Sequence, residues 1–247
     1  MRFISCKLSR PKLYAFLLFA FCLTASSLYA QVSVPVLEPS EIIMLPNTLL
    51  EECHRVAHKA NTDYNSLSDL EEALLGFVEE DRVLSHFYGC GCSWYCGGQI
   101  DSITASSALS DRYSAEKAHD FSIVTAWVEG VAGSGEGEYV KYSFPGTCPR
   151  ITAVLIHNGY IKNRDVWRDN GRVKKLLMYY NDKPYVVLNL KNTMDLQRFE
   201  VGILGHEERS EASPAWSIKF EILEVYPGEK YEDTVITEIY FDGIDVH

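Results

Sequence analysis

Basic side chains are scarce in this 247-residue sequence, in which 23 Lys and Arg stand against 34 Asp and Glu, giving a net charge of −11 at pH 7. Proteins hold nucleic-acid phosphates and anionic membrane surfaces mainly with clustered Lys and Arg. The acidic balance therefore argues against nucleic acid as a partner, and it favours neutral ligands or cations.

Long hydrophobic runs are also lacking. The longest apolar block covers residues 13–25, whereas a helix that spans a bilayer needs roughly twenty apolar residues, so no membrane span is expected. Four basic residues precede the block and small residues follow it near Ala30, which is typical of a secretory signal peptide over residues 1–30. Its removal would delete those four basic residues and no acidic one, leaving a net charge of about −15. The chain is thus predicted to be exported, to a periplasmic, cell-surface or extracellular location.

Recognisable catalytic motifs are missing as well. The glycine-rich stretch at residues 133–137 is not followed by a Lys, as a phosphate-binding loop would be. His157 and His206 stand without a recognisable Ser or Cys nucleophile motif nearby. We therefore do not predict an enzyme.

The redox motif Cys-x-x-Cys is absent, although five cysteines follow the predicted signal peptide: Cys53, Cys90, Cys92, Cys96 and Cys148. Disulfides are the usual state of cysteines in exported proteins. We expect Cys53 or Cys148 to pair with a member of the cluster at 90–96, and the odd count leaves one thiol unpaired or intermolecular. The alternative is a zinc site in which His86 joins the three clustered cysteines.

Residues 31–98 divide into two segments. Residues 31–47 contain three prolines and no sustained periodicity, which predicts an extended leader. Residues 48–98 are predicted to form a small helical, cysteine-containing region, with one helix over 49–60. A second helix begins at Ser68, whose hydroxyl and the Glu71 carboxylate are spaced for a capping box.

Residues 99–247 have the alternating pattern of β-strands. Val140, Tyr142 and Phe144 alternate with polar residues, and the same pattern recurs around Phe220, so each strand has one buried face. Further strands are predicted over 151–157, 173–180, 185–190 and 234–241. Seven or eight such strands in about 150 residues favour two packed antiparallel sheets. The fold class is mainly β.

Seven short strings, in order between residues 103 and 245, carry a family resemblance: Thr104-Ala105-Ser106-Ser107, Thr125-Ala126-Trp127-Val128-Glu129-Gly130, Gly137-Glu138-Tyr139, Asn158-Gly159-Tyr160, Arg172-Val173-Lys174-Lys175-Leu176, Val225-Tyr226-Pro227-Gly228 and Lys230-Tyr231-Glu232-Asp233-Thr234. This stretch resembles the discoidin, or coagulation factor five/eight type C, superfamily. More narrowly, it looks like the NADase-type glycan-binding domain, which is related to the NAD glycohydrolase translocation domain. The resemblance implies a galactose-binding-like β-sandwich, or jelly roll.

The resemblance also implies sugar binding, which requires an aromatic face for the apolar side of a pyranose and polar groups for its hydroxyls. Trp167 is the preferred contact because it lies in a polar, loop-like insert. A buried, structural role is the alternative for Trp127. The full set of candidates is Trp167, Arg172, Tyr160, Asn158, Trp127 and Glu129.

Many members of the superfamily carry a structural calcium ion, and the corresponding positions here are Asp120, Thr125 and Glu238. Calcium prefers six to eight oxygen ligands. This sequence departs from the usual acidic loop, because Phe121 and Ser122 stand where Gly and a second carboxylate would help. The alternative is that Asp120 caps a turn and Glu238 pairs locally.

Two functions remain open on the sequence. The first is a secreted or envelope carbohydrate-binding, lectin-like module without catalytic activity, whose partner is a glycan or glycoconjugate. The second is an assembly subunit of an envelope complex that binds a protein partner and no sugar. An open cleft with an aromatic floor favours the first, and a large exposed apolar patch favours the second.

Overall fold

This computed structural model describes residues 34–44, 55–56, 59–60, 62–72 and 94–245, which contain eleven strands, a short α-helix and further helical residues at 55–56, 59–60, 62–63 and 69–72. The strands are β1 (Val36–Leu37), β2 (Glu41–Ile43), β3 (Ser102–Ala105), β4 (Trp127–Val128), β5 (Tyr139–Phe144), β6 (Arg150–Asn158), β7 (Gly171–Tyr180), β8 (Lys183–Asn189), β9 (Leu196–Leu204), β10 (Trp216–Tyr226) and β11 (Thr234–Ile244). Helix α1 covers Arg164–Asp169, and 3-10 turns cover Tyr64–Ser66, Trp94–Cys96, Asp111–Tyr113 and Ala115–Ala118.

The strands form two hydrogen-bonded groups. One group runs β2-β9-β6-β11, with β4 beside β11, and the other runs β1-β8-β7-β10-β5-β3. The groups are joined where β11 and β7 pair in parallel over two residues each. Apart from this junction and the parallel β1–β8 pair, the ladders between the named strands are antiparallel. The prediction of a mainly β fold is confirmed.

Aromatic side chains from both groups meet in a common core. Val140, Tyr142 and Phe144 are fully buried on one face of β5, as the alternation predicts. The Phe144 ring stacks on Trp216 with 4.3 Å between centroids, and it meets Phe241 of the other group edge to face at 5.3 Å. Burial of each such ring contributes about 1.5–3 kcal/mol. These contacts pack the two groups as a sandwich.

The sandwich core extends to Trp94, five residues before the predicted start at residue 99. The Trp94 ring is buried against Phe241, with centroids 5.7 Å apart, and its indole N–H donates to the Pro149 carbonyl oxygen at 3.1 Å. Nearby, the buried Cys148 thiol is free in the structure and donates to the Gln99 carbonyl oxygen at 3.4 Å.

Several sequence predictions fall outside the described residues. These are the signal peptide over 1–30, the side chains of Cys53, Cys90, Cys92 and Cys96, and the alternative zinc ligand His86. Their disulfide or zinc chemistry stays a prediction.

The extended leader contributes two strands to the sandwich. Its described part, residues 34–44, pairs Val36–Leu37 in parallel with β8 and Glu41–Ile43 antiparallel with β9. One strand thus joins each group at an edge, which covers backbone donors and acceptors that would otherwise be unpaired. Strands of two and three residues have no detectable periodicity, so the sequence indicated the extended conformation without the pairing.

The predicted helix start at Ser68 has the hydrogen bonds of a capping box. The Glu71 amide donates to the Ser68 hydroxyl at 3.3 Å, and the Ser68 amide donates to the Glu71 carboxylate at 2.9 Å. Lys59 and Arg55 also contact this carboxylate, and these bonds lower the pKa of Glu71 to about 2, Lys59 contributing most.

Among the described residues, no helix has the length and hydropathy needed to cross a membrane.

Candidate functional site

An open pocket of about 470 Å³ lies where several strand ends meet, at the end of β6, the beginning of β7, the end of β10 and the beginning of β11. We call it the tyrosine pocket. Its lining combines three tyrosines, three cationic side chains and two carboxylates with apolar side chains and one amide: Leu109, Arg112, Tyr113, Val128, Tyr160, Lys162, Val166, Asp169, Asn170, Lys230, Tyr231 and Asp233.

The three tyrosines give the pocket a fixed floor and an exposed rim. Tyr160 is buried, and its hydroxyl donates to the Val124 carbonyl oxygen at 3.0 Å. Tyr113 meets the Tyr160 ring edge to face, with centroids 6.5 Å apart. Tyr231 is 45% exposed and Leu109 is 49% exposed. Exposed aromatic and aliphatic surface of this kind can pack against the apolar face of a sugar ring.

Helix α1 supplies one wall of the pocket through Val166, Asp169 and Asn170. The helix begins after Asn163, whose side-chain oxygen accepts from the Val166 amide at 2.9 Å. At the other end, the Asn170 side-chain amide donates to the Val166 carbonyl oxygen at 2.8 Å. A helix of six residues is marginal by itself, so these caps and its contacts with the sandwich hold the wall in place.

Trp167 and Arg172 attach α1 to the sandwich and do not line the tyrosine pocket. The Trp167 indole N–H donates to the Asn158 carbonyl oxygen at 2.9 Å, and the Arg172 guanidinium carbon lies 4.7 Å from the Trp167 ring centroid. One Arg172 nitrogen also donates to the carbonyl oxygens of Arg168 and Asn170 at 3.1 and 2.8 Å. Both side chains therefore act on the pocket through α1.

Gly159 allows the close approach of this helix. Its φ is +80°, and a β-carbon there would lie 2.8 Å from the Trp167 ring. Any larger residue at position 159 would thus be strained and would displace the indole.

Three other predicted sugar contacts are buried in the framework. Asn158 joins β6 to β7, since its amide donates to the Val173 carbonyl oxygen at 2.7 Å and its oxygen accepts from the Val173 amide at 2.9 Å. The Trp127 indole N–H donates to the Ser107 carbonyl oxygen at 2.9 Å. The Glu129 carboxylate accepts from the backbone amides of Val131 and Thr234 at 2.9 and 3.1 Å, and burial raises its pKa.

Of the six predicted sugar contacts, Tyr160 lines the tyrosine pocket. Contact of all six with a sugar stays a prediction. The sequence reasoning missed Tyr113 and Tyr231 as site residues. Each directly follows a cationic residue in an irregular segment, as Arg112-Tyr113 and Lys230-Tyr231, and this repeated pairing is the signal that could have identified them.

The predicted calcium ligands do lie together. The Thr125 hydroxyl donates to the Asp120 carboxylate at 2.7 Å, and the Ser122 amide donates to the Glu238 carboxylate at 2.9 Å. Glu238 is buried, and one of its oxygens, Oε2, has no hydrogen-bond partner. Burial, followed by the nearby charge of Asp120, raises the pKa of Glu238 well above its ordinary value. The Lys117 ammonium pairs with Asp120 at 3.0 Å.

This donor set fits a calcium ion. A buried carboxylate oxygen without a partner is costly unless a proton or a cation satisfies it, and the cluster offers carboxylate, hydroxyl and carbonyl oxygens, which are the ligands calcium takes. The cluster has only two carboxylates, and no group of three or more His, Cys, Asp or Glu gathers here or anywhere else in the described ranges. Phe121, at φ +59°, is the departure from the usual loop, and its ring stacks on Tyr240.

The family model described as NAD glycohydrolase translocation F5/8 type C domain matches residues 94–242. No curated protein sequence matches the chain significantly.

Several solved structures from Clostridium perfringens have a similar fold. One contains the CBM32-1, CBM32-2 and M60 catalytic domains of ZmpB, with 15% identity, a TM-score of 0.44 and coverage of 61% of this chain and 14% of that one. A structure of the two CBM32 domains alone has 12% identity, a TM-score of 0.48 and coverage of 82% and 55%. The module CpGH89CBM32-5, in complex with GalNAc-β-1,3-galactose, has 14% identity, a TM-score of 0.43 and coverage of 62% and 100%. The chain thus spans 14% and 55% of the length of the two ZmpB structures.

Proposed function

Because the chain belongs to the NAD glycohydrolase translocation F5/8 type C domain family, we propose that it is a carbohydrate-binding module without catalytic activity. The observation that carries the proposal is the tyrosine pocket. It is open and offers exposed aromatic surface from Tyr231 beside the carboxylates of Asp169 and Asp233. Sugars are bound by this combination, in which rings pack on aromatic faces and hydroxyls donate to fixed oxygen acceptors.

The module acts outside the cytoplasm in this proposal. Its support is the signal-peptide pattern of residues 1–30, with a basic beginning, a short apolar block and small residues near Ala30. Its partner is a glycan or glycoconjugate of an envelope or an extracellular surface.

The absence of catalysis is part of the same proposal. Hydrolysis of a glycoside usually requires two carboxyl groups at a defined separation, one on each side of the scissile bond. Asp169 and Asp233 line an open pocket. In this proposal they accept hydrogen bonds from sugar hydroxyls and do not act as a catalytic pair.

A glycan array probed with the purified protein tests the proposal. We expect selective binding of particular glycans, and we expect Tyr231→Ala to weaken it about twofold to tenfold, because an aromatic stacking contact contributes about 0.5–1.5 kcal/mol. Tyr64→Ala is the matched control, since Tyr64 is 54% exposed and lies outside the pocket. Silence of the folded protein on the array would contradict the proposal and favour the assembly subunit that binds a protein partner.

We propose further that Asp120, Thr125 and Glu238 hold a structural calcium ion when it is present. The ion would satisfy the unpartnered oxygen of Glu238 and neutralise charge beside Asp120. Calcium at about 100 times its dissociation constant stabilises a protein by about 2.7 kcal/mol. This corresponds to a rise in melting temperature of roughly 5–10 °C for a domain of this size.

Thermal unfolding with calcium or with a chelator tests the ion site. We expect Glu238→Gln to abolish the calcium-dependent rise in melting temperature, because an amide is a much weaker calcium ligand than a carboxylate. Glu208→Gln is the control, since Glu208 is exposed and distant in the chain. An equal calcium response in both variants, or none in the unchanged protein, would contradict the assignment.

A further inference from the structure

We propose that the tyrosine pocket selects saccharides that carry an anionic group, a carboxylate or a sulfate, and that Arg112 and Lys162 hold that group. This inference rests on the proposed glycan-binding function and adds the chemical class of the ligand. It is carried by an unusual feature of an acidic protein, the gathering of cationic side chains that have no carboxylate partner.

Most described Lys and Arg side chains outside the pocket are neutralised by a carboxylate within 4.0 Å. Examples on different faces are Lys141 with Asp182 at 2.7 Å, Arg150 with Asp245 at 2.5 Å, and Arg198 with Asp242 at 2.7 Å. The same holds for Lys117, Arg168, Lys174, Lys175, Lys191 and Lys219. With a large excess of acidic residues in the chain, pairing is the expected state of a cation.

The three cations of the tyrosine pocket differ from this pattern. Arg112, Lys162 and Lys230 form no salt bridge with any carboxylate among the described residues. Two of them lie over aromatic rings. The Arg112 guanidinium carbon is 5.9 Å from the Tyr113 centroid, and the Lys230 nitrogen is 4.9 Å from the Tyr231 centroid. The Lys230 side chain is hydrogen-bonded to Tyr231, so the donor groups available to a ligand are those of Arg112 and Lys162.

Arg112 and Lys162 lie on the Tyr160 side of the pocket. The Arg112 guanidinium carbon lies 5.9 Å from the centroid of Tyr113, and the Tyr113 ring in turn meets the Tyr160 ring with 6.5 Å between centroids. Lys162 follows Tyr160 by two residues and lines the same pocket. An anionic group over Tyr160 would thus meet a guanidinium, which binds carboxylate or sulfate through two parallel hydrogen bonds, and an ammonium.

The carboxylates of Asp169 and Asp233 line the same pocket, together with Lys230. The amides of Lys230 and Tyr231 donate to the Asp169 carbonyl oxygen at 3.1 and 2.9 Å, so this loop and the end of α1 form one unit. Asp169 and Asp233 can accept from the neutral hydroxyls of the sugar. The pocket therefore offers cations for the anionic substituent and carboxylate acceptors for the hydroxyls of the ring.

The overall negative charge does not prevent this binding. At physiological ionic strength, charges more than about 8 Å apart are largely screened. The local cations of the pocket therefore outweigh acidic residues elsewhere on the surface.

Isothermal titration with two matched pairs of sugars tests the inference. The pairs are 3′-sialyllactose with lactose, and a galacturonic acid oligomer with its methyl ester. A sulfated lactose distinguishes a sulfate from a carboxylate preference. We expect the acidic member of at least one pair to bind about tenfold more tightly, because a charge-assisted hydrogen bond contributes about one order of magnitude in affinity. The preference should shrink as salt rises from about 0.05 M to about 0.5 M.

Arg112→Gln and Lys162→Gln should each reduce the ratio of acidic to neutral affinity about threefold to tenfold. Arg164→Gln is the matched control, because Arg164 is an exposed arginine on α1 that does not line the pocket, and it should leave the ratio unchanged. A preference that persists in both pocket variants would overturn the assignment of these two cations.

The outcomes separate this inference from the proposed function. Equal binding of acidic and neutral sugars that is weakened in Tyr231→Ala would refute the anionic selectivity and leave the glycan-binding function in place. No binding of any sugar would refute both.

Discussion

At the residue scale, His157 shows how burial makes stability depend on pH. The imidazole is completely buried in β6, opposite Glu238 of β11, and its Nδ1 has no hydrogen-bond partner. Desolvation lowers the pKa of His157 to about 4, although a hydrogen bond with the Met194 backbone opposes the shift. The folded state therefore holds a neutral ring at a pH where the unfolded chain already binds a proton.

The sign of the effect follows from that difference. As pH falls from about 6.5 to about 4, the unfolded state takes up a proton and the folded state does not, so stability is lost over this window. Once His157 is fully protonated in the unfolded chain, the free energy of unfolding has fallen by on the order of 3 kcal/mol on account of this residue. The pKa of the buried His119 is likewise lowered to about 4 by desolvation, which adds a second contribution of the same sign.

Urea unfolding between pH 7 and pH 4 measures this contribution. We expect His157→Asn to make the pH dependence shallower, because the amide does not titrate, whatever its effect on stability at pH 7. The raised pKa of Glu238 acts in the opposite direction, with stability lost as pH rises through its folded value, and it is common to both proteins. An unchanged pH slope in the variant would contradict the account of His157.

At the scale of elements, α1 is positioned by the Trp167–Arg172 pair and is itself a wall of the pocket. In this arrangement Trp167 supports the pocket wall, whereas the sequence predicted that Trp167 contacts the sugar directly. A substitution can distinguish the two roles. Trp167→Phe would retain an aromatic ring beside Arg172 and remove the indole N–H that donates to Asn158.

We expect Trp167→Phe to lower stability by about 1 kcal/mol, the usual contribution of one hydrogen bond, and to change glycan affinity less than about twofold. Chemical denaturation and glycan titration on the same sample measure both quantities. Loss of binding as large as that of Tyr231→Ala, with unchanged stability, would instead place Trp167 in contact with sugar.

The elements also show what the sequence could predict. The core of β5 was predictable, because alternation over residues 140–144 is a local pattern that reflects one buried face. The pairing of the leader with β8 and β9 was not, because it depends on partners about 150 residues away. Its two-residue and three-residue strands leave no period to detect.

The candidate site was predictable only in part, because its residues also come together from distant parts of the sequence. Asp120, Thr125 and Glu238 lie close together, and calcium binding there stays a prediction. The tyrosine pocket draws its lining from Val128 and from residues 109–113, 160–170 and 230–233, which are far apart in sequence. The sequence could indicate which residues were polar or aromatic in irregular segments, but strand order decides which of them meet.

At the scale of the whole molecule, the sandwich and its pocket depend on different sets of side chains. The two groups of strands pack through fully buried aromatic side chains such as Phe144 and Phe220, and this packing fixes the strand ends. The pocket then depends on a few side chains in the segments between strands, so substitutions at Tyr231 or Arg112 should alter binding while the fold persists.

The most direct test of the central claim is to map the binding of an array-positive glycan on the protein by NMR chemical-shift perturbation. We predict that the largest amide shifts fall at Val128 and within residues 109–113, 160–170 and 230–233, which line the tyrosine pocket. Shifts confined to another face of the sandwich would contradict the claim that this pocket is the glycan site.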